Sequence, residues 1–237
     1  MLIDREKIIQ ETLQVFKHTE KFRNITDFID QFQYSEIHRN FLTATDIFID
    51  CDQFSNDIER YNDYFQPWGN KHNDLPRYGL ALVNQDGTLK TDDPINGSLH
   101  EWNIKHPDNV IIETDCREPT DVLSAASLLP LNIFNGHWCR SNILKWHRGA
   151  KFYPHIDTCI PSPWIRLWAT NDAEKINLRY MDEQGVMQSV PNIENGRVYV
   201  IDTAVVHDAE CLDTVYQLFL SVTPQAINIL KERLCIT

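Results

Sequence analysis

Apolar residues recur at helical spacing near both ends of the chain. Within residues 4–21 these positions, surrounded by charged neighbours, are Ile8, Ile9, Leu13, Val15 and Phe16. Residues 25–32 repeat the pattern more briefly. A spacing of three to four residues places such side chains on one face of a helix. We therefore predict helices within residues 1–33 and a C-terminal helix within residues 224–237.

From about residue 131 the pattern changes to short alternating apolar runs, separated by Gly, Pro and Asn-Asp. Alternation with a period of two is typical of half-buried strands. The runs predict strands at Ser141–Trp146, Lys151–Ile156, Ile165–Ala169, Ile176–Met181, Val186–Val190, Arg197–Ile201 and Val215–Val222. Many short strands at this spacing favour a sandwich or jelly roll, with its core over residues 131–223.

Residues 34–130 mix aromatic side chains with Asn, Asp, Pro and Gly. Turn signals at 85–87 and 95–97 indicate irregular structure with a few short strands. The aromatic residues of this region have two interpretations, a pocket wall or an aromatic core beneath long loops. They include Tyr61, Tyr64, Trp68, Tyr78 and Trp102.

Length and charge narrow the class of protein. A chain of 237 residues is long enough for one sizeable domain, and two full domains are not expected. The net charge is −12 and the basic residues are scattered, so we expect neither nucleic acid nor a membrane as a partner. The N-terminus has no signal-peptide core, and the six cysteines lack Cys-x-x-Cys spacing. These features favour a cytoplasmic protein with reduced thiols, acting on a small or peptidic substrate.

His155 and Asp157 are the strongest candidates for chemistry. Residues two apart on a strand point to the same face, so this imidazole and carboxylate can converge on one metal ion. His207 precedes another strand-like run and would supply a second imidazole. Two histidines and one carboxylate that leave the opposite face of the ion open are the ligand set of non-haem Fe(II) oxygenases. The alternative is a surface ion pair at His155 and Asp157, with His207 as an ordinary loop histidine.

The residues around this set resemble a known family. Leu144–Ala150 leads into the strand before His155, Arg166–Asn171 contains Arg-Leu-Trp followed by Thr-Asn, and Gly196–Asp202 precedes His207. Over residues 141–222 this pattern resembles the Fe(II)/2-oxoglutarate dioxygenases of the aspartyl/asparaginyl β-hydroxylase and proline hydroxylase branch. The first block lacks the proline of the family pattern. The resemblance implies a double-stranded β-helix in which His155, Asp157 and His207 bind iron and Arg166 faces the same cavity.

One position departs from that family. The family has an arginine ten residues after the distal histidine, where its guanidinium pairs with the far carboxylate of 2-oxoglutarate. This chain has Gln217 there, a neutral amide. Our hypothesis is that Arg166 supplies the main charge for the cosubstrate, with Gln217 and Thr170 as hydrogen-bond partners. Arg179 and Lys151 are second candidates, although a solvated strand face explains both.

The resemblance implies oxidative decarboxylation of 2-oxoglutarate coupled to hydroxylation of a substrate C–H bond. We expect the substrate to be a free amino acid or a peptidyl Asp, Asn or Pro-like residue. Its carboxylate would have Arg140, Arg148 or Arg179 as candidate partners. Two other classes stay open: a metal-binding β-helix protein that does not use 2-oxoglutarate, and an interaction protein with a vestigial metal site. The oligomeric state is open as well.

Overall fold

A computed structural model describes residues 37–68, 76–90, 99, 102–103, 106–157 and 164–235. The predicted N-terminal helices and Cys159 lie outside the described residues.

Twelve strands are present in the described part of the chain. They are β1 (Leu42–Phe48), β2 (Gln66–Pro67), β3 (Arg77–Asn84), β4 (Glu118–Pro119), β5 (Ser141–Trp146), β6 (Lys151–His155), β7 (Ile165–Thr170), β8 (Ile176–Met181), β9 (Met187–Ser189), β10 (Arg197–Ile201), β11 (His207–Cys211) and β12 (Val215–Val222). The protein is thus mainly β, as the alternating pattern predicts.

Helices are short and few among the described residues. The α-helices described over their full length are α1 (Cys51–Glu59) and α2 (Ile227–Arg233). The 3₁₀ turns are Asn62–Tyr64, Glu113–Asp115, Asp121–Ser124, Ala126–Phe134, Ala173–Lys175 and Pro224–Ala226. Helix α1 begins where the Asp50 side chain accepts a hydrogen bond from the Gln53 amide at 2.9 Å, which satisfies one of the free N–H groups of the first turn. None of the described helices is long and apolar enough to cross a membrane.

The strands form two sheets that together make a double-stranded β-helix. The large sheet has the order β1-β10-β7-β12-β5-β3-β2, with β4 paired to β3, and the small sheet has the order β6-β11-β8-β9. From β5 onward the chain crosses repeatedly between the sheets, so each sheet receives four strands of the β-helix. Strands β1 to β4 extend the large sheet at both edges.

Two apolar clusters lie on opposite faces of the large sheet. The inner cluster fills the space between the sheets and joins Trp146 and Trp168 of the large sheet to Leu178 and Ala209 of the small one. The outer cluster joins the other face to α1, α2 and the 3₁₀ turns. Because both faces are covered, every residue of β7 is buried.

The strands predicted between residues 141 and 222 are confirmed, and four of them, β5, β8, β10 and β12, have the predicted bounds. The helix predicted after Pro224 is present as α2. The interpretation of residues 34–130 differs from the structure, because β1 and β3 are seven and eight residues long and belong to the large sheet. The β-sheet therefore begins well before residue 131.

Candidate metal centre

His155 and His207 face each other across two paired strands of the small sheet. His155 is the last residue of β6 and His207 is the first residue of β11, and the antiparallel register places the two opposite each other. The pairing is irregular between His207 and Ala209, where β6 contains one extra residue. Asp157 follows β6 by two residues, and its amide donates to the Thr203 carbonyl at 2.9 Å, which fixes the backbone at that point.

The three side chains converge on one point. His155 Nε2 lies 3.5 Å from Asp157 Oδ1, and the two imidazole ring centres are 4.4 Å apart. One potential ligand atom from each of the three residues lies within 4.8 Å of the other two. Two nitrogen ligands and one oxygen ligand at this spacing can occupy one face of a transition-metal ion.

Both imidazoles are held with the same nitrogen turned away from the site. His155 Nδ1 donates to the Tyr153 carbonyl at 2.7 Å, and His207 Nδ1 donates to the Val205 carbonyl at 2.8 Å. A histidine whose Nδ1–H is bound to a carbonyl presents Nε2 as a lone-pair donor, which is how metal-binding histidines are usually oriented.

Burial and charge shift the pKa values of His207 and Asp157 toward the protonation states that a metal requires. His207 is 7% exposed, and burial lowers the pKa of its imidazole, although the neighbouring Asp157 opposes that effect. Burial alone would raise the pKa of the Asp157 carboxyl. Nearby groups that can carry positive charge outweigh burial and lower that pKa, namely His155, His207, Arg166 and Arg140. A neutral imidazole and an ionised carboxylate are the metal-binding forms.

Two of those cationic groups belong to a buried arginine cluster, formed by Arg140, Glu113 and Arg166. Arg140 Nη1 lies 3.0 Å from Glu113 Oε1, and Arg166 Nη2 lies 3.9 Å from the same oxygen. The three side chains are only 8–10% exposed. The guanidinium carbon of Arg140 lies 5.4 Å from the centre of the Trp68 ring. That of Arg166 lies 5.5 Å from the centre of the Trp164 ring. Two guanidinium groups thus lie near one carboxylate, beside the three candidate metal ligands.

The inner face of β7 and β12 has three levels of paired side chains. Arg166 is paired with Ser221, Trp168 with Phe219, and Thr170 with Gln217. Arg166 lowers the pKa of Asp157, so its level is the one beside the candidate metal ligands. Thr170 lies four residues further along β7, about 13 Å away at the usual strand rise.

This geometry bears on the hypothesis that Arg166 supplies the main charge for the cosubstrate, with Gln217 and Thr170 as hydrogen-bond partners. An aromatic level, Trp168 with Phe219, separates Arg166 from the other two. The Thr170 hydroxyl lies 3.4 Å from the backbone carbonyls of Tyr216 and Asp172, so it faces the backbone. Gln217 is 1% exposed, and its Oε1 accepts from Trp168 Nε1 at 3.1 Å.

The other arginine and lysine candidates have different surroundings. Arg179 forms a two-pronged contact with Asp208, at 2.8 and 2.6 Å. Arg148 is exposed, and Lys151 Nζ lies over the exposed ring of Tyr153. Glu113 was not singled out in the sequence, because a lone acidic residue in an irregular stretch carries no pattern.

Sequence comparison yields no match to a family model and no significant match to a curated protein. Solved structures with some similarity include a Pseudomonas putida prolyl-4-hydroxylase, with 11% identity and a TM-score of 0.42 over 84% of this chain and 97% of that one. A 2OG-Fe(II) oxygenase family oxidoreductase from Burkholderia pseudomallei has 11% identity and a TM-score of 0.36 over 62% of this chain and 68% of that one.

An oxalate oxidase bound to glycolate has 12% identity and a TM-score of 0.29. The match covers 35% of this chain and 41% of that protein's length. At these values the similarities carry no argument about chemistry. Function is therefore inferred from the geometry of the site.

Proposed function

We propose that the protein is a non-haem Fe(II) oxygenase that uses 2-oxoglutarate as its cosubstrate. The observation that carries this proposal is the convergence of His155, Asp157 and His207, with both imidazoles bound through Nδ1 to backbone carbonyls. The donor set fits Fe(II), because two imidazoles and one carboxylate leave coordination positions open for a chelating acid and for oxygen. Bound iron and 2-oxoglutarate would supply oxygen activation and hydroxylation of a C–H bond.

The residues around the metal centre suit an acidic cosubstrate with two polar ends. At the level of the metal, Arg166 Nε and Ser221 Oγ are buried and have no hydrogen-bond partner among the described residues. Deeper between the sheets, Gln217 Nε2 is also buried and has no hydrogen-bond partner among the described residues. Buried polar groups are normally satisfied, so these atoms favour a bound polar ligand. In this proposal Arg166 binds the carboxylate at the metal-chelating end.

We further propose that the substrate is a free amino acid or a short peptide. The two buried guanidinium groups of the arginine cluster support a substrate with a carboxylate, because they place cationic side chains beside the candidate metal ligands in a protein of net charge −12. Trp68 and Trp164 offer apolar surface beside that charge. The release of succinate should be measured with a panel of amino acids and peptides. Turnover only with a folded protein or a nucleic acid would contradict this part of the proposal.

The test of the main proposal is an anaerobic titration of the protein with Fe(II) and then with 2-oxoglutarate. A chelated 2-oxo acid on Fe(II) gives a weak visible charge-transfer band, which we expect to appear and to saturate. The Asp157→Ala variant should not give the band. The His137→Ala variant is the matched control and should give the band in full, since His137 contacts Thr223 and is not one of the three metal-ligand residues.

The second candidate function is a metal-binding β-helix that does not use 2-oxoglutarate. The neutral Gln217, at the position where the family has arginine, is the observation that favours it. Iron binding without the charge-transfer band would support this candidate and overturn the first. Failure to bind iron would overturn both.

A further inference from the structure

Three buried hydrogen-bond donors have no acceptor among the described residues. They are Arg77 Nε, Trp146 Nε1 and Gln217 Nε2. Their residues are 4%, 0% and 1% exposed. Leaving a buried donor unsatisfied costs free energy, so three together require an explanation. We call these residues the donor trio.

The donor trio belongs to three neighbouring strands of the large sheet. In the sheet register Arg77 of β3 is opposite Trp146 of β5, and Leu144 of β5 is opposite Gln217 of β12. Residues two apart share a face, so Trp146 and Gln217 are diagonal neighbours on the face that carries Leu144. Both Trp146 and Leu144 belong to the inner cluster between the sheets. Long side chains at such positions are within reach of one another.

The orientation of the Gln217 amide is fixed by its neighbour. An indole N–H can only donate, so the Gln217 atom that meets Trp168 Nε1 at 3.1 Å must be the carbonyl oxygen. The NH₂ group of Gln217 therefore points away from Trp168 and is the donor that lacks an acceptor.

Arg77 adds a charge to this group. Its Nη1 donates to the Lys151 carbonyl at 3.0 Å, and its guanidinium lies 4.3 Å over the ring of Phe152. No carboxylate of the described residues forms an ion pair with Arg77. Burial lowers the pKa of this guanidinium, yet arginine stays charged inside proteins. A buried cation that lacks an anion is costly, so the position favours a bound anion.

Phe152 links the donor trio to the metal centre. Its ring lies 5.3 Å from the ring of His155 and 5.1 Å from the ring of Trp146. The Arg77 guanidinium contacts the same ring. Only the Phe152 side chain therefore lies between Arg77 and the candidate metal ligand His155. A diacid held at the metal by one end would meet the Arg77 guanidinium if its other end passed this ring.

We propose that Arg77, Trp146 and Gln217 form the binding site for the far carboxylate of the cosubstrate, a dicarboxylic 2-oxo acid. This inference rests on the proposed function. Arg77 lies on β3, outside the eight strands of the β-helix. In this inference it supplies the positive charge that the neutral Gln217 lacks. Arg166 then binds the end that all 2-oxo acids share, and Arg77 distinguishes a diacid from a monoacid.

The experiment compares two ligands that differ only at the far end. Dissociation constants of 2-oxoglutarate and of 2-oxopentanoate, which has the same chain length and lacks the second carboxylate, are measured on the Fe(II)-loaded protein without oxygen. The charge-transfer band or calorimetry reports binding, so turnover is not needed. We expect the wild type to prefer 2-oxoglutarate. In Arg77→Met the preference should fall by about 10- to 100-fold, the usual worth of a hydrogen-bonded charge.

Matched variants separate this role from general damage. Arg77→Lys should keep part of the preference, and Trp146→Phe, which removes only the N–H, should reduce it by a smaller factor. Arg166→Met should weaken both ligands by a similar factor and leave the preference unchanged. Arg197→Met is the control for loss of a partly buried arginine, because Arg197 also lies 4.3 Å over a phenyl ring, that of Phe48, and donates to a backbone carbonyl. It should bind both ligands as the wild type does.

Several outcomes would overturn the inference and leave the proposed function intact. One is equal affinity of the wild type for both ligands, which would mean that the donor trio does not bind a far carboxylate. Another is an unchanged preference in Arg77→Met. If neither 2-oxo acid binds to the iron-loaded wild type, the proposed function itself fails. Should Arg77→Met not fold, Arg77→Lys and Trp146→Phe decide the question.

Discussion

The two sheets of the β-helix contribute different parts of the candidate site. The small sheet supplies His155 and His207 from strand ends, and β6 has no fully buried residue. The large sheet supplies Arg77, Arg166 and Gln217 from strands that are buried on both faces. The candidate metal ligands thus include one on the half-exposed strand β6 and one on the largely buried strand β11, and the polar groups that would recognise ligands come from the packed large sheet.

This difference has an energetic consequence. A half-exposed ligand side chain loses little packing when it is truncated, because water replaces it. A buried charged group that loses its partner leaves an uncompensated charge in the interior. Substitution of the half-exposed His155 should therefore change metal binding without changing stability, and substitution of charged groups in the large sheet should change stability.

The largest effect is expected for His155→Ala. Loss of a ligand should weaken Fe(II) binding by more than about 100-fold, since loss of an outer hydrogen-bond partner alone costs about 10- to 100-fold. The free energy of unfolding of the metal-free protein should change by about 0.5 kcal/mol or less, because the side chain is 31% exposed. Metal titration and chemical denaturation measure the two quantities. Iron affinity equal to that of the wild type would show that His155 is not a ligand.

Glu113→Gln should have the opposite profile. It leaves Arg140 and Arg166 buried without their shared carboxylate, and breaking a buried ion pair from one side costs about 3–5 kcal/mol. We expect the free energy of unfolding to fall by about 3 kcal/mol, with iron still bound. Glu118→Gln is the control, since Glu118 is exposed on β4 and should have no measurable effect. A neutral result for Glu113→Gln would mean that the arginine cluster is well solvated.

Much of the β-helix could be predicted from local pattern. Alternation between apolar and polar positions sets the bounds of β5, β8, β10 and β12 correctly, because each of these strands lies between clear turn signals. The same period of two correctly places Arg166 on one face with Trp168 and Thr170. Spacing within one strand is local information, and sequence carries it well.

Non-local pairing was not predictable in the same way. Strand β1 pairs with β10, about 150 positions later in the chain, and no pattern in residues 42–48 specifies that partner. Arg77 begins an apolar run, where a charge usually indicates a solvated strand end. Its burial becomes visible only once β3 is known to lie beside β5. The distance between Arg166 and Gln217 likewise depends on the register of β7 with β12.

The smallest effect is expected for Thr170→Val, and it tests how deep the ligand-binding region extends into the large sheet. The Thr170 hydroxyl faces the Tyr216 and Asp172 carbonyls, so its loss should cost about 1 kcal/mol of stability and leave affinity for 2-oxoglutarate unchanged. Ser221→Ala is the matched comparison, because the buried Ser221 hydroxyl has no described acceptor. That variant should keep its stability within about 0.5 kcal/mol and bind the 2-oxo acid several-fold more weakly. Weaker ligand binding by Thr170→Val at unchanged stability would instead place Thr170 in contact with the ligand, and the boundary between recognition and packing would then lie one level deeper.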